Sequence, residues 1–170
     1  PGIVQVTDFG LDDRFGVFLV MEYLHGETLF DRLDHDRRLS VRVSLQIALQ
    51  IAEALHHMHG QGLVHRDVKP ENVFLCRVPR DGRHQVQAKL IDFGLARPQI
   101  ADAEVADSER AGTPEFAAPE QFKGSGPRPS MDIYALGVLL FEMLTGRLAF
   151  DGSLEEVIAR KLQSPPPSPN

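Results

Sequence analysis

Three short clusters hold the residue types from which a phosphate-handling site could be built: His65-Arg66-Asp67-Val68-Lys69-Pro70-Glu71-Asn72, then Asp92-Phe93-Gly94, then Ala118-Pro119-Glu120. Asn72 and Asp92 offer hard oxygen ligands of the kind Mg²⁺ takes, because that ion keeps several waters and shares the rest of its shell with substrate phosphates. Lys69 stands two residues after Asp67, close enough to neutralise a phosphate in the same site. Transfer of a phosphoryl group spreads charge over the oxygens of a loose transition state, so positioning and electrostatic stabilisation do most of the work. Any one of these short strings occurs by chance in many proteins, and it is their joint order that is specific.

The elements that must position them can be read from periodicity and turn chemistry. Ile3 to Phe9 and Gly16 to Tyr23 are short, rich in Val and Phe, and separated by Gly10-Leu11-Asp12-Asp13-Arg14, which predicts a β-hairpin. Thr28 to Asp34 predicts a short helix. Ser40 predicts the N-cap of a long one, with Leu45, Ala48, Leu49, Ala52 and Leu55 on one face, Ile47, Ile51 and Met58 extending it, and an end at Gly60 and Gly62. Val73 to Cys76 and Val86 to Ile91, split by Pro79-Arg80-Asp81-Gly82, predict a second hairpin. Arg97 to Pro129 is long, polar and punctuated by Pro and Gly, the pattern of a functional loop or of disorder. Ser130 is expected to cap an apolar helix over Met131 to Thr145 that stops at Gly146, and Ser153 to Gln163 predicts an amphipathic helix with Leu154, Val157, Ile158 and Leu162 on its face.

Composition bounds the answer. The 170 residues, 42% hydrophobic and 25% charged, suit one globular domain and exclude a disordered or fibrous chain. Lone Cys76 excludes a disulfide framework and a cysteine-rich zinc site, fits a reducing compartment, and reads as a buried strand thiol. The net charge of -6 gives no general attraction to nucleic acid or to an anionic membrane. The most apolar stretch, Ile133 to Phe141, falls well short of the ~20 residues a membrane span needs, so a cytoplasmic location is expected, with tethering left to segments outside the chain. His56 and His59 could share a helix face as metal ligands, but their place in a last helical turn and the lack of further ligands favour a helix-end role. Gly124-Ser125-Gly126 follows no strand and opens no helix, so it is no phosphate loop.

With its three clusters in that order, the chain resembles the eukaryotic-type serine/threonine protein kinase family, in a bacterial-like form. The resemblance implies an α+β, protein-kinase-like fold in truncated form. Residues 1–24 would be a remnant of the β-rich N-lobe, two strands and the hinge, and residues 25–170 an incomplete helical C-lobe with catalytic loop and activation segment. It implies ATP and Mg²⁺ as cofactors and protein Ser/Thr hydroxyls as acceptors, with no nucleic-acid partner. By resemblance Asp67 would accept and aim the substrate hydroxyl, a contribution of roughly 10²- to 10⁴-fold. Lys69 and Gly112-Thr113-Pro114-Glu115 look like the serine/threonine branch, in which Thr113 would bond between Asp67 and Lys69, and Asn72 and Asp92 would hold Mg²⁺. In the hinge-like Leu19 to Gly26, Met21 would be the gatekeeper, Glu22 and Leu24 would offer backbone groups to adenine, and Phe74 would lie beneath it. His65, Phe93, Gly94, Glu120 and Asp132 match structural positions of the family, Asp132 by holding the catalytic-loop backbone or, on the plainer reading, as a helix N-terminal acid. Arg66 beside Asp67 suggests control by phosphorylation. Ser108 is the only hydroxyl residue between Gly94 and Gly112, a phosphosite candidate set against a solvated loop serine.

Some of the family pattern is missing. Residues 1–20 contain no lysine and no Gly-x-Gly-x-x-Gly, and the first lysine is Lys69. The arginine expected to pair with Glu120 is also absent, so an unpaired carboxylate and a less stable lobe are expected. The chain therefore reads as cut from something longer and as inactive or nearly so alone. Set against a kinase segment are a non-catalytic kinase-like interaction module and, more weakly, a small-molecule kinase. The intact set Asp67, Lys69, Asn72 and Asp92 favours the kinase segment.

Overall fold

The computed structural model describes residues 2–80, 83–92, 97–98 and 113–169. Phe93, Gly94 and Ser108 lie outside the described residues. The first hairpin pairs β1 (Val6–Asp12) with β2 (Gly16–Met21). The first strand begins later and runs further than its apolar residues suggest, because Asp12 makes the turn: its Oδ1 accepts the N–H groups of Arg14 and Phe15. Ile3 instead forms a single parallel bridge to Leu90. The side chains of Phe9, Leu11, Phe15 and Val17 are exposed along this hairpin.

A three-stranded antiparallel sheet follows, with β3 (Gly26–Thr28) against β5 (Val73–Arg80), and β5 against β6 (Arg83–Leu90). Three residues carry too little periodicity to announce β3. Gly26 is required there, because a Cβ at its φ of +154° would sit 2.0 Å from the Leu75 carbonyl oxygen. On the sheet, Val73 with Leu90 and Leu75 with Ala88 are cross-strand partners that enter the core. Cys76 is buried as well, and burial pushes its thiol up. A short β4 (Leu63–Val64) pairs with β7 (Arg97–Pro98).

Among the described residues, four α-helices complete the fold. Thr28 caps α1 (Leu29–Asp36) through a reciprocal box with Asp31. Ser40 caps α2 (Val41–Gly60) as its type predicts, but the buried face is Ser44, Ile47, Ala48, Ile51, Ala54, Leu55 and Met58. Leu45 and Leu49 are exposed, so the helix is rotated from the expected stripe: with apolar residues on most of its circumference, contacts with α3 and β6 decide which face goes in. Helix α3 (Pro129–Thr145) starts at Pro129, not after a Ser130 cap. Proline's fixed φ suits the first helical position, and Ser130 turns its hydroxyl elsewhere. Gly146 ends α3 at a φ of 69°, as expected. Helix α4 (Leu154–Gln163) has Ser153 in a capping box with Glu156. Its buried residues are Val157 and, against expectation, Lys161, whereas Leu154 and Leu162 are exposed. The core gathers α2, α3 and the inner face of the β5–β6 hairpin around Leu55, Leu90, Leu139 and Met143, each under 1% exposed.

Candidate active site

Residues 65–72 leave β4 as a loop and enter a single 3-10 turn over Pro70–Asn72 before β5. The loop is shaped from a distance. Asp132, in the first turn of α3 and fully buried, accepts the His65 N–H at 2.9 Å through Oδ2 and the Arg66 N–H at 2.8 Å through Oδ1. The ring Nε2 of His59 lies 2.7 Å from Asp132 Oδ2. His59 is thus a partner of Asp132, a role its place at a helix end conceals, and among the described residues no group of three His, Cys, Asp or Glu could hold a metal ion.

These bonds hold Arg66 at a φ of 71°, which costs a non-glycine residue about 1–2 kcal/mol. Gln121 secures the other side of the same residue: its Nε2 donates to Arg66 O at 3.3 Å while its Oε1 accepts the Ala118 N–H at 2.8 Å. Nothing in the spacing of Gln121 announces this. His65 is fully buried, and burial pushes its imidazole down, opposed by Asp132 and Asp67. A neutral ring fits its contact, since Nδ1 accepts the Asp67 N–H at 3.3 Å.

The Asp67 carboxylate is the centre of the arrangement. Its Oδ2 takes Lys69 Nζ and Asn72 Nδ2, both at 2.9 Å. Its Oδ1 takes the Thr113 N–H at 3.1 Å and, more weakly, the Thr113 hydroxyl at 3.4 Å. Lys69 Nζ also donates to Thr113 Oγ1 at 2.8 Å, so Thr113 lies between Asp67 and Lys69. A carboxylate has about four acceptor positions, and here all four are used.

Asn72 has a second restraint, Nδ2 donating to Asp67 O at 2.8 Å. With Nδ2 committed twice to Asp67, the opposite end of the amide, a hard oxygen, faces away from it. The Ile91 N–H donates to Asn72 O at 2.9 Å, which sets Asp92 beside Asn72 at the open end of the β5–β6 hairpin. Asp92 has a φ of 61°, a region Asp tolerates better than most residues. An amide oxygen and a carboxylate are hard oxygen ligands of the kind that suit a divalent cation, which completes its shell with phosphate and water.

On the hinge side, Met21 ends β2, and the Glu22 N–H donates to Gln5 O at 2.9 Å. The Glu22 carboxylate meets Lys89 Nζ at 2.6 Å and the Gln5 N–H at 2.9 Å, and these two donors, Lys89 foremost, hold it below the usual carboxylate range. Lys89 is the cross-strand partner of Phe74, so the half-buried Phe74 ring shares the sheet face that looks toward the hinge. Leu24 is half-buried between the hinge and β3.

Past Thr113 the chain turns, the N–H groups of Phe116 and Ala117 both donating to Thr113 O at 3.0 Å, and a 3-10 turn covers Pro119–Gln121. Glu120 is not left unpaired as expected: it is half-buried and its Oε1 accepts the Ser130 hydroxyl at 3.1 Å. Among the described residues no helix is long and apolar enough to cross a membrane.

Comparison with known proteins accords with this geometry. The model of the protein kinase domain matches residues 1–165. The chain is 39% identical over 172 residues to serine/threonine-protein kinase pkn2 of Myxococcus xanthus, covering 99% of this chain and 20% of that protein. Against serine/threonine-protein kinase PrkC of Bacillus subtilis it is 37% identical over 169 residues, 99% of this chain and 25% of that protein. Against serine/threonine-protein kinase PknA of Mycobacterium tuberculosis the identity is 37% over 175 residues, 99% of this chain and 39% of that protein. The chain thus spans 20% to 39% of the length of these curated relatives.

Proposed function

The chain belongs to the protein kinase domain family, and from that membership we propose that the protein of which it forms part transfers the γ-phosphate of ATP to serine or threonine hydroxyls of proteins. The observation that carries this reading is the convergence of Lys69, Asn72 and Thr113 on the carboxylate of Asp67. Asp67 receives the hydrogen of the acceptor hydroxyl and aims its oxygen. To make room, one of its four donors yields. The long contact from the Thr113 hydroxyl is the weakest, and Lys69 can transfer its charge to the incoming phosphate while keeping Thr113. Asn72 and Asp92 would hold Mg²⁺, which when bound neutralises the charge that develops on the phosphate oxygens. Glu22 and Leu24 supply backbone groups to adenine, Met21 borders that pocket, and Phe74 supports the base. His65 and Asp132 keep the loop in shape, and Arg66 would receive a regulatory phosphate.

A kinase-like module without catalysis has no physical need for four donors gathered on one buried carboxylate. The test is Asp67→Asn in the full-length protein with casein as acceptor. Transfer is expected to fall by roughly 10²- to 10⁴-fold while Mg²⁺-dependent ATP binding stays in place. Undiminished turnover overturns the role of Asp67, and ATP affinity that is the same with and without magnesium in the parent overturns that of Asn72 and Asp92.

A further inference from the structure

Lysine is among the residues least often found fully buried, yet Lys161 of α4 is 5% exposed. Its ammonium has no carboxylate at contact distance among the described residues. It donates instead to two backbone carbonyls, Glu115 O at 2.8 Å and Ala117 O at 2.7 Å. Two ring faces close the box around it, Tyr134 of α3 with its centroid 5.1 Å from Nζ and Phe150 at 4.9 Å. Burial lowers the ammonium to about 8, opposed by the nearby Glu115 charge, so it keeps its proton at neutral pH.

The residues it grips are two and four positions beyond Thr113. Because the N–H groups of Phe116 and Ala117 both donate to Thr113 O, the segment from Thr113 to Ala117 is one closed turn, held at one end by Lys161 and at the other by Asp67 and Lys69. A methionine would fill the same box at lower desolvation cost, so packing alone does not explain a cation there. What the ammonium adds is direction: its hydrogens fix where two carbonyls point, and with them the turn that carries Thr113.

We propose that Lys161 is a positioning residue for phosphate transfer to protein, an ammonium anchor through which α4 fixes the Thr113–Ala117 turn against the Asp67 site. The inference rests on the kinase reading for its effect on turnover, but not for the anchor itself.

The experiment compares Lys161→Met with the parent in the full-length protein, with two readouts. Amide hydrogen exchange over residues 113–118 is expected to become about tenfold faster, the size of a lost charge-assisted hydrogen bond. The kcat/KM for casein is expected to fall about tenfold or more while the KM for ATP stays within about twofold, a split that general destabilisation does not produce. Unchanged exchange overturns the anchor. Faster exchange with unchanged kcat/KM, or a loss shared equally by ATP binding, overturns the positioning role. Lys161→Gln, which keeps one donor nitrogen, repeats the comparison, and failure of both variants to fold makes Lys161 a folding residue and overturns the proposal. If the parent transfers no phosphate to casein or to itself, the kinase reading falls, and exchange alone decides the anchor: faster exchange upholds it and unchanged exchange overturns it.

Discussion

Asp132→Ala is the substitution whose cost can be worked most directly from the structure. The Asp132 carboxylate is fully buried and accepts two backbone N–H groups, from His65 and Arg66, 67 and 66 residues earlier in the chain. Alanine leaves both donors facing a methyl group, and each buried donor without a partner costs about 1–3 kcal/mol. The third contact, from His59, counts for less, since that side chain keeps 14% exposure and can recruit water. Removing a buried charge recovers part of its own desolvation, which brings the net loss to about 2–4 kcal/mol. In urea, with a slope of about 1–3 kcal/mol per molar, the unfolding midpoint is expected to drop by about 1–2 M at constant slope. Arg66 also loses what holds its positive φ, so the loop relaxes and phosphate transfer falls by about 10²-fold, the scale of an ångström-sized misplacement. An unfolding free energy within about 0.5 kcal/mol of the parent, the range of ordinary surface substitutions, would refute the claim that Asp132 shapes the loop.

Two further outcomes follow from the helices. Burial, with Glu71 as a like charge, pushes the Glu142 carboxyl up to about 7, and its Oε2 has no hydrogen-bond partner among the described residues. A raised folded pKa means its stabilisation is complete below about 4.5 and lost as pH rises through 7. Glu142→Gln should therefore stabilise the protein at pH 8 by about 2 kcal/mol, after a discount for partial exposure, and leave it unchanged at pH 4; parallel melting profiles of the two proteins between those pH values would refute this. Gly146→Ala should destabilise by about 2 kcal/mol or more, since a Cβ at φ 69° would lie 2.6 Å from Arg37 O; a gain of about 0.4–1 kcal/mol in urea unfolding, the entropic benefit of losing a glycine, would show that the site relaxes freely.

What the sequence revealed and what it hid divide by range. Thr28, Ser40, Ser153 and Gly146 act on backbone within a turn of themselves, so the starts of α2 and α4 and the end of α3 were legible. The rotation of α2 was not, because Leu45 and Ile47 are equally apolar and only packing chooses between them. Ser130 looked like a cap because serine commonly is one, yet its hydroxyl is drawn to Glu120. In the site, the clusters were legible because family resemblance records type and order. The contacts of His59, Gln121 and Lys161 were not, since each acts on a partner 44 to 73 residues away. One signal did exist for Lys161: it lies four residues after the buried Val157, on the same helical face.

The restraint of residues 65 and 66 by residue 132 also has a meaning in time. A ribosome adding about 5–20 residues per second takes several seconds to go from the loop to its anchor. Throughout that interval the nascent loop has its reactive side chains but lacks the acceptor that bends it, so the loop takes its shape only once residue 132 has been made. A premature stop between residues 72 and 132 would yield a polypeptide bearing every residue of the His65–Asn72 string without the anchor that bends it.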